Sequence, residues 1–164
     1  MSDIDVMDGL AGLTPGSHLG ELRRQRPEVV RHLQGSDDAL FAPADDGGLT
    51  RAERAAAALR VAELLRDAAL VEHYHTRLRR LDPSGALEKT VEGGAQITEG
   101  RWDAILAHVD LVTRGPASAQ RSDIDELLAV GLSSRTVVSL SQLIAYVNFQ
   151  SRVLAGLRML KGGA

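Results

Sequence analysis

The 164-residue chain contains no cysteine. Thiol-disulfide exchange, thiol peroxidase chemistry, thiolate metal sites and disulfide staples are all excluded by that single fact. Aromatic residues are scarce as well, at 3% of the chain, so stacking platforms for nucleobases are missing. Neither sign of charge dominates. Nineteen Lys+Arg against 22 Asp+Glu give a formal −3, which implies no electrostatic attraction to nucleic acid or to an anionic membrane. The longest uncharged run, between Arg135 and Arg152, carries Thr136, Ser139, Ser141, Gln142 and Asn148. A membrane span needs about 20 mostly apolar residues, so this run reads as a helix buried in the core or against another subunit. The acidic start, MSDIDVMDGL, lacks the basic region and apolar stretch of a secretory signal, and a cytoplasmic protein is expected. There is no Walker loop, Gly9-x-x-Gly12 follows no strand, and no serine sits in a Gly-x-Ser-x-Gly elbow.

What is present is helix. With 44% hydrophobic and 25% charged residues, the chain has the composition of one globular domain able to bury a core without staples. Pro27 predicts the first turn of a helix whose apolar side is Val29, Val30, Leu33 and Leu40. The connector Pro43–Gly48 is turn-rich, and Thr50 with Glu53 forms a capping box ahead of an alanine-rich helix. That helix is expected to continue to Asp82-Pro83, where a short helix starts and runs to Gly93-Gly94. Trp102, Ile105, Leu106, Val109 and Val112 keep helical spacing up to Gly115-Pro116. Ser122-x-x-Asp125 predicts another cap, with a stop at Gly131, and Ser133 or Ser134 predicts the start of a last helix reaching about Lys161. About seven helices with short loops describe an all-α bundle.

Two blocks carry a family resemblance. Residues 49 to 81, LTRAERAAAALRVAELLRDAALVEHYHTRLRRL, resemble the signature helix of the alkylhydroperoxidase D-like, carboxymuconolactone decarboxylase superfamily, in its peroxidase-related branch. There a Leu-Ser/Thr-x-x-Glu start leads into Cys-x-x-Cys and one or two histidines. Gly131-Leu132-Ser133, then Ala145-Tyr146-Val147-Asn148-Phe149 and Arg152, resemble the closing part of the same branch. The resemblance spans roughly residues 27 to 160. It implies an alkylhydroperoxidase D-like domain over residues 21 to 164, with residues 1 to 20 left as an unassigned extension. It also implies a homo-oligomer, as a dimer, trimer or hexamer, and a cysteine-bearing relative as a candidate partner in antioxidant metabolism.

Transferred residue by residue, the resemblance places Asp67 and Leu70 at the resolving and attacking cysteine positions. Tyr74 falls at the histidine four residues beyond, His73 matches the neighbouring histidine, and Ala55 falls where a glutamate belongs. Alkylhydroperoxidase activity, which the family implies, has no nucleophile here. A polar remnant persists at the same positions. On an unbroken helix Glu63, Asp67 and Tyr74 share one face, and with His73 and Asn148 or Gln150 they compose a candidate acid–base site. The competing reading pairs Glu63 and Asp67 with Arg60, Arg66 or a neighbouring helix. His73 and His75 point to opposite sides of a helix and cannot jointly grip a metal, while His32 and His108 lie on other helices. No metal or cofactor is expected, and His18 is read as a solvated loop residue. Asn148, Phe149 and Arg152 are assigned to packing and subunit contact, with Asp123 to Glu126 as the expected partner segment for a buried Arg152.

Three functions remain open at this point. The first is a scaffold or partner subunit that has lost its thiol centre. The second is a cysteine-independent, decarboxylase-like acid–base enzyme on a small acid, against which the two acids Glu63 and Asp67 would repel an anionic substrate. The third is a small-ligand binding protein that reuses the vestigial pocket.

Overall fold

The computed structural model describes residues 5–93 and 100–162, and nine α-helices and no strands are found among them. They are α1 (Val6–Ala11), α2 (His18–Arg24), α3 (Pro27–Phe41), α4 (Arg51–Leu65), α5 (Ala68–Leu81), α6 (Ala86–Gly93), α7 (Arg101–Arg114), α8 (Arg121–Ala129) and α9 (Ser134–Gly162), with a 3₁₀ turn at Pro116–Ser118. The all-α expectation holds, with nine helices among the described residues rather than about seven, three more than the six the sequence places individually. Two short helices lie ahead of Pro27, and the run over residues 49 to 81 is two helices rather than one.

Helix α4 is the axis of the molecule. Ala55, Ala56, Ala57, Ala58, Val61 and Ala62 are fully buried, and α4 packs against α5, α6, α7 and α9. Methyl side chains let those helices approach α4 closely from several sides, and alanine carries the least intrinsic cost in a helix. The capping box forms as the sequence predicts: Thr50 Oγ1 accepts from the Glu53 N–H, and the Glu53 carboxylate accepts from the Thr50 N–H. One residue further along, buried Arg54 donates to the carbonyls of Leu49, Leu40 and Asp46 at 2.9, 3.0 and 2.8 Å. That guanidinium ties the turn-rich connector to the core, and Thr136 on α9 closes it from the other side by donating to the Gly47 carbonyl. Gly48 adopts φ +84°, and a Cβ there would lie 2.7 Å from Thr136 Oγ1, so glycine is required twice over.

The break between α4 and α5 has a defined geometry. Arg66 takes the left-handed conformation, φ 55°, while its N–H bonds the Glu63 carbonyl and the Asp67 N–H bonds the Ala62 carbonyl. This is the Schellman arrangement, with arginine where glycine usually sits. Asp67 then caps α5, its side chain accepting from the Leu70 N–H.

Elsewhere the boundaries shift by small amounts. Helix α8 begins at Arg121, and the Asp123 carboxylate accepts from the Gln120 N–H, so the cap lies two residues before the Ser122–Asp125 pair. Ser133 caps α9 by accepting from the Thr136 N–H. Helix α6 ends at Gly93, and Gly94, the other half of the expected stop, lies outside the described residues. Exposed His18 opens α2 rather than lying in a loop. On α3 the inward positions are Leu33, Asp37 and Phe41, and Val29 is 53% exposed. Asp37 takes an inward place and pairs there with Arg77 of α5 at 3.1 Å. Helix α1 packs on α9 and α5 with Met7 fully buried, and Arg23 of α2 binds both Asp5 and Asp8.

Exposed Arg66 should be improved by glycine, because a left-handed L-residue costs about 1 kcal/mol and the lost side chain touches no core. Arg66→Gly is expected to raise stability by about 0.5–1 kcal/mol, seen as a Tm increase of about 1–4 °C in thermal unfolding. An unchanged or lower Tm would show that the arginine side chain supports the break.

Candidate functional site

The five candidate residues do not converge. The helix ends between Glu63 and Asp67, so the single polar face expected of Glu63, Asp67 and Tyr74 does not form. Glu63 stays on α4 beside Arg60, at 3.8 Å. Arg60 is committed elsewhere, in a two-pronged bond to Asp110 of α7 at 2.8 and 2.9 Å. Burial pushes the Glu63 carboxyl above the ordinary range, Arg60 opposes that shift, and nearby Glu92 adds to it.

Asp67 is closed off by α9. Arg158 donates to both carboxylate oxygens at 2.9 and 2.8 Å, and the Ser151 hydroxyl donates at 3.4 Å. Burial raises the Asp67 carboxyl, but the bonds from Arg158 and the Leu70 N–H and the Arg158 charge outweigh it. The net result lies below the usual carboxylate value. Such a group is ionised at neutral pH and already fully engaged. It offers neither a proton to give nor a free lone pair with which to take one.

Leu70 and Tyr74 lie in the core, each with no exposed surface. The Tyr74 hydroxyl donates to Gln150 Oε1, and its ring stacks on Phe41 at a centroid distance of 5.2 Å. Burial drives the Tyr74 hydroxyl well above its ordinary value, so it stays protonated and acts as a structural donor. Gln150 is the α9 residue that reaches this cluster; Asn148 instead donates back to the Ile144 carbonyl.

His73 lines two surface cavities, one of about 570 Å³ beside Val6, Leu10 and Gln34 and one of about 430 Å³ with Asp37, Glu72, Thr76, Arg77 and Arg80. Burial, with Arg77 and Arg80 adding to it, lowers His73 to about 4. It is neutral at physiological pH, its ring packs edge-on to Tyr74, and its Nε2 has no hydrogen-bond partner. His75 faces away, toward Glu88 at 2.5 Å, as the two-residue step requires. Among the described residues no three His, Asp or Glu side chains converge in a metal-binding group.

Arg152 is exposed rather than buried, and it donates to the Asn148 carbonyl instead of pairing with the Asp123–Glu126 segment. Phe149 is 44% exposed. The residues that decide the site's state, Arg158 and Ser151, lie 91 and 84 positions from Asp67. Their seven-residue spacing on α9 is the sequence signal that both face the same way, but nothing local ties that face to Asp67.

No family model matches the chain, and no curated protein sequence matches it. Among solved structures, the chain is similar to an uncharacterized peroxidase-related protein from Silicibacter sp. TM1040. The TM-score is 0.72 over 80% of this chain and 69% of that one, at 16% sequence identity. The likeness establishes a common helical architecture. No described helix is long and apolar enough to cross a membrane.

Asp67 contributes a helix cap and an ion pair together. Asp67→Ala should cost about 1–2 kcal/mol in urea unfolding at neutral pH, and Asp67→Asn less than about 1 kcal/mol because the amide oxygen still caps. A carboxyl whose folded-state pKa is depressed contributes stability that is complete above its unfolded value, near 3.9, and lost as pH falls through the lower folded value. The gap between wild type and Asp67→Asn should therefore close as pH drops below about 4. A gap that persists unchanged to pH 2 would show that the Arg158 pair contributes nothing.

Proposed function

We propose that this protein is a non-catalytic assembly subunit with a peroxidase-related fold, working through contacts with other protein chains rather than through a thiol centre. The observation that carries this reading is the closure of the vestigial site. Asp67 is buried and held by Arg158, while Leu70 and Tyr74 are packed without solvent access. A decarboxylase-like mechanism on a small acid loses support from the same facts. Glu63 and Asp67 stand on different helices with different partners, and Asp67 is not free to exchange a proton.

The outer face of α9 supports the assembly half of the reading. Its exposed positions Arg135, Val138, Gln142, Ala145, Phe149 and Arg152 follow alternating steps of three and four residues. That is the spacing of a helix seam that packs against another helix. Between the two arginines the seam is uncharged, Val138 is 57% and Phe149 44% exposed, and small Ala145 between them would allow a close approach. A two-fold pairing of α9 with α9 of a second copy uses the same patch on both chains, which is the commonest way for a soluble chain to self-associate.

In sedimentation velocity, the wild type should run as a homo-oligomer at micromolar concentration. Phe149→Glu and Val138→Glu should each weaken association by at least about 100-fold, as expected for charges placed in an apolar seam. Because both side chains point outward, the Tm of the isolated chain should hold within about 2 °C. A wild type that stays monomeric across the accessible concentration range would overturn the assembly reading.

A further inference from the structure

The exposed residues of α9 are spaced symmetrically. Between Arg135 and Arg152 they are Val138, Gln142, Ala145 and Phe149, and every other residue of that stretch is buried or half-buried. The steps along the row are three, four, three, four and three, so it reads the same from either end. Laid antiparallel on a copy of itself about its midpoint, the row sets Val138 against the partner's Phe149 and Gln142 against the partner's Ala145. Arg135 then meets the partner's Arg152. Within the seam a large side chain faces a small one each time, which is how interdigitating helices fill space. Val138 also walls a cleft of about 520 Å³ beside α9, with Ile124 of α8, Val137, Ser141 and Ala145, so the partner's Phe149 meets an apolar recess. A parallel pairing would set Phe149 on Phe149 and leave a gap where Ala145 faces Ala145.

The two ends of the seam need an acid. Antiparallel pairing brings two arginines together at each end, and like charges repel. The acid is present on one side of each pair, in the connector ahead of α4, where exposed Asp45 accepts from Arg135 at 2.7 Å. Asp45 also accepts from the Gly47 N–H, and these bonds hold its carboxyl below the ordinary range, so it is charged at neutral pH. A carboxylate with two such bonds keeps lone pairs for a second cation. Arg152 is that cation: within its own chain it donates to the Asn148 carbonyl and pairs with no carboxylate among the described residues. Building on the assembly reading above, we propose that two copies of this chain pair antiparallel through α9 in this one register, with Asp45 clamped between Arg135 and the partner's Arg152 at both ends.

A chain without cysteine lets introduced thiols report the register directly. Full-length Arg135→Cys and Arg152→Cys, mixed at a concentration where the protein is dimeric and treated with a short bismaleimide, should give covalent dimer. Neither variant alone should do so, because like positions lie about 25 Å apart along an antiparallel seam. The clamp is read by sedimentation equilibrium at low salt. Asp45→Asn keeps an oxygen for the Gly47 N–H and should weaken the dimer about three- to tenfold, the effect of losing two exposed ion pairs. In an Arg152→Gln background the same change should have no effect, since its partner is gone. Covalent dimer from either cysteine variant alone, none from a dimeric mixture, or a dimer constant unmoved by Asp45→Asn would each overturn this register while leaving assembly in place. A wild type that stays monomeric would overturn both.

Discussion

Close packing around the alanine face of α4 is the constraint on which the rest of the molecule depends. Four consecutive alanines, Ala55 to Ala58, have no exposed surface, and the helices around them approach from different directions. A larger side chain at any of these positions would have to push a whole helix outward, and overpacking of that kind is penalised. Ala55 belongs to this packed interface and carries no group that could relay a proton. Buried Arg54 on the same helix is satisfied by three backbone carbonyls.

The engagement of Asp67 is a consequence of the same architecture. Once the Schellman turn at Arg66 ends α4, Asp67 is placed at the head of α5, where the helix N-terminus and a cation together favour a carboxylate. The cation comes from the last helix, so the Asp67–Arg158 pair joins α5 to the far end of α9. A second join runs through the core, from Tyr74 to Gln150. Asp67 and Tyr74 thus act as fasteners between α5 and α9. A residue committed to holding two helices together is poorly suited to move a proton or admit a substrate.

Much of the fold was legible because helix boundaries are written in local chemistry. Pro27, the Thr50–Glu53 box, Asp82-Pro83 and Gly115-Pro116 each sit where the sequence predicts an end. The break at Arg66 was not legible, since it relies on backbone hydrogen bonds and a left-handed arginine, with neither glycine nor proline to announce it. Asp67 looks in sequence like any acid within a helix, and only the break turns it into a cap. Pairing was the other blind spot. Arg60 meets Asp110 across 50 positions and Arg77 meets Asp37 across 40, and periodicity supplies no rule for matching charges on different helices. Val29 shows the same limit for apolar residues: spacing places it beside Val30 and Leu33, while the buried face of α3 is Leu33, Asp37 and Phe41, with Asp37 paired to Arg77.

The most direct measurement is consumption of hydrogen peroxide and of an organic hydroperoxide by the purified wild-type chain, with excess dithiol as reductant. The account predicts a rate indistinguishable from buffer at every protein concentration. A rate that rises in proportion to protein, in a preparation shown to carry no metal, would contradict it and require a reactive centre other than a thiol.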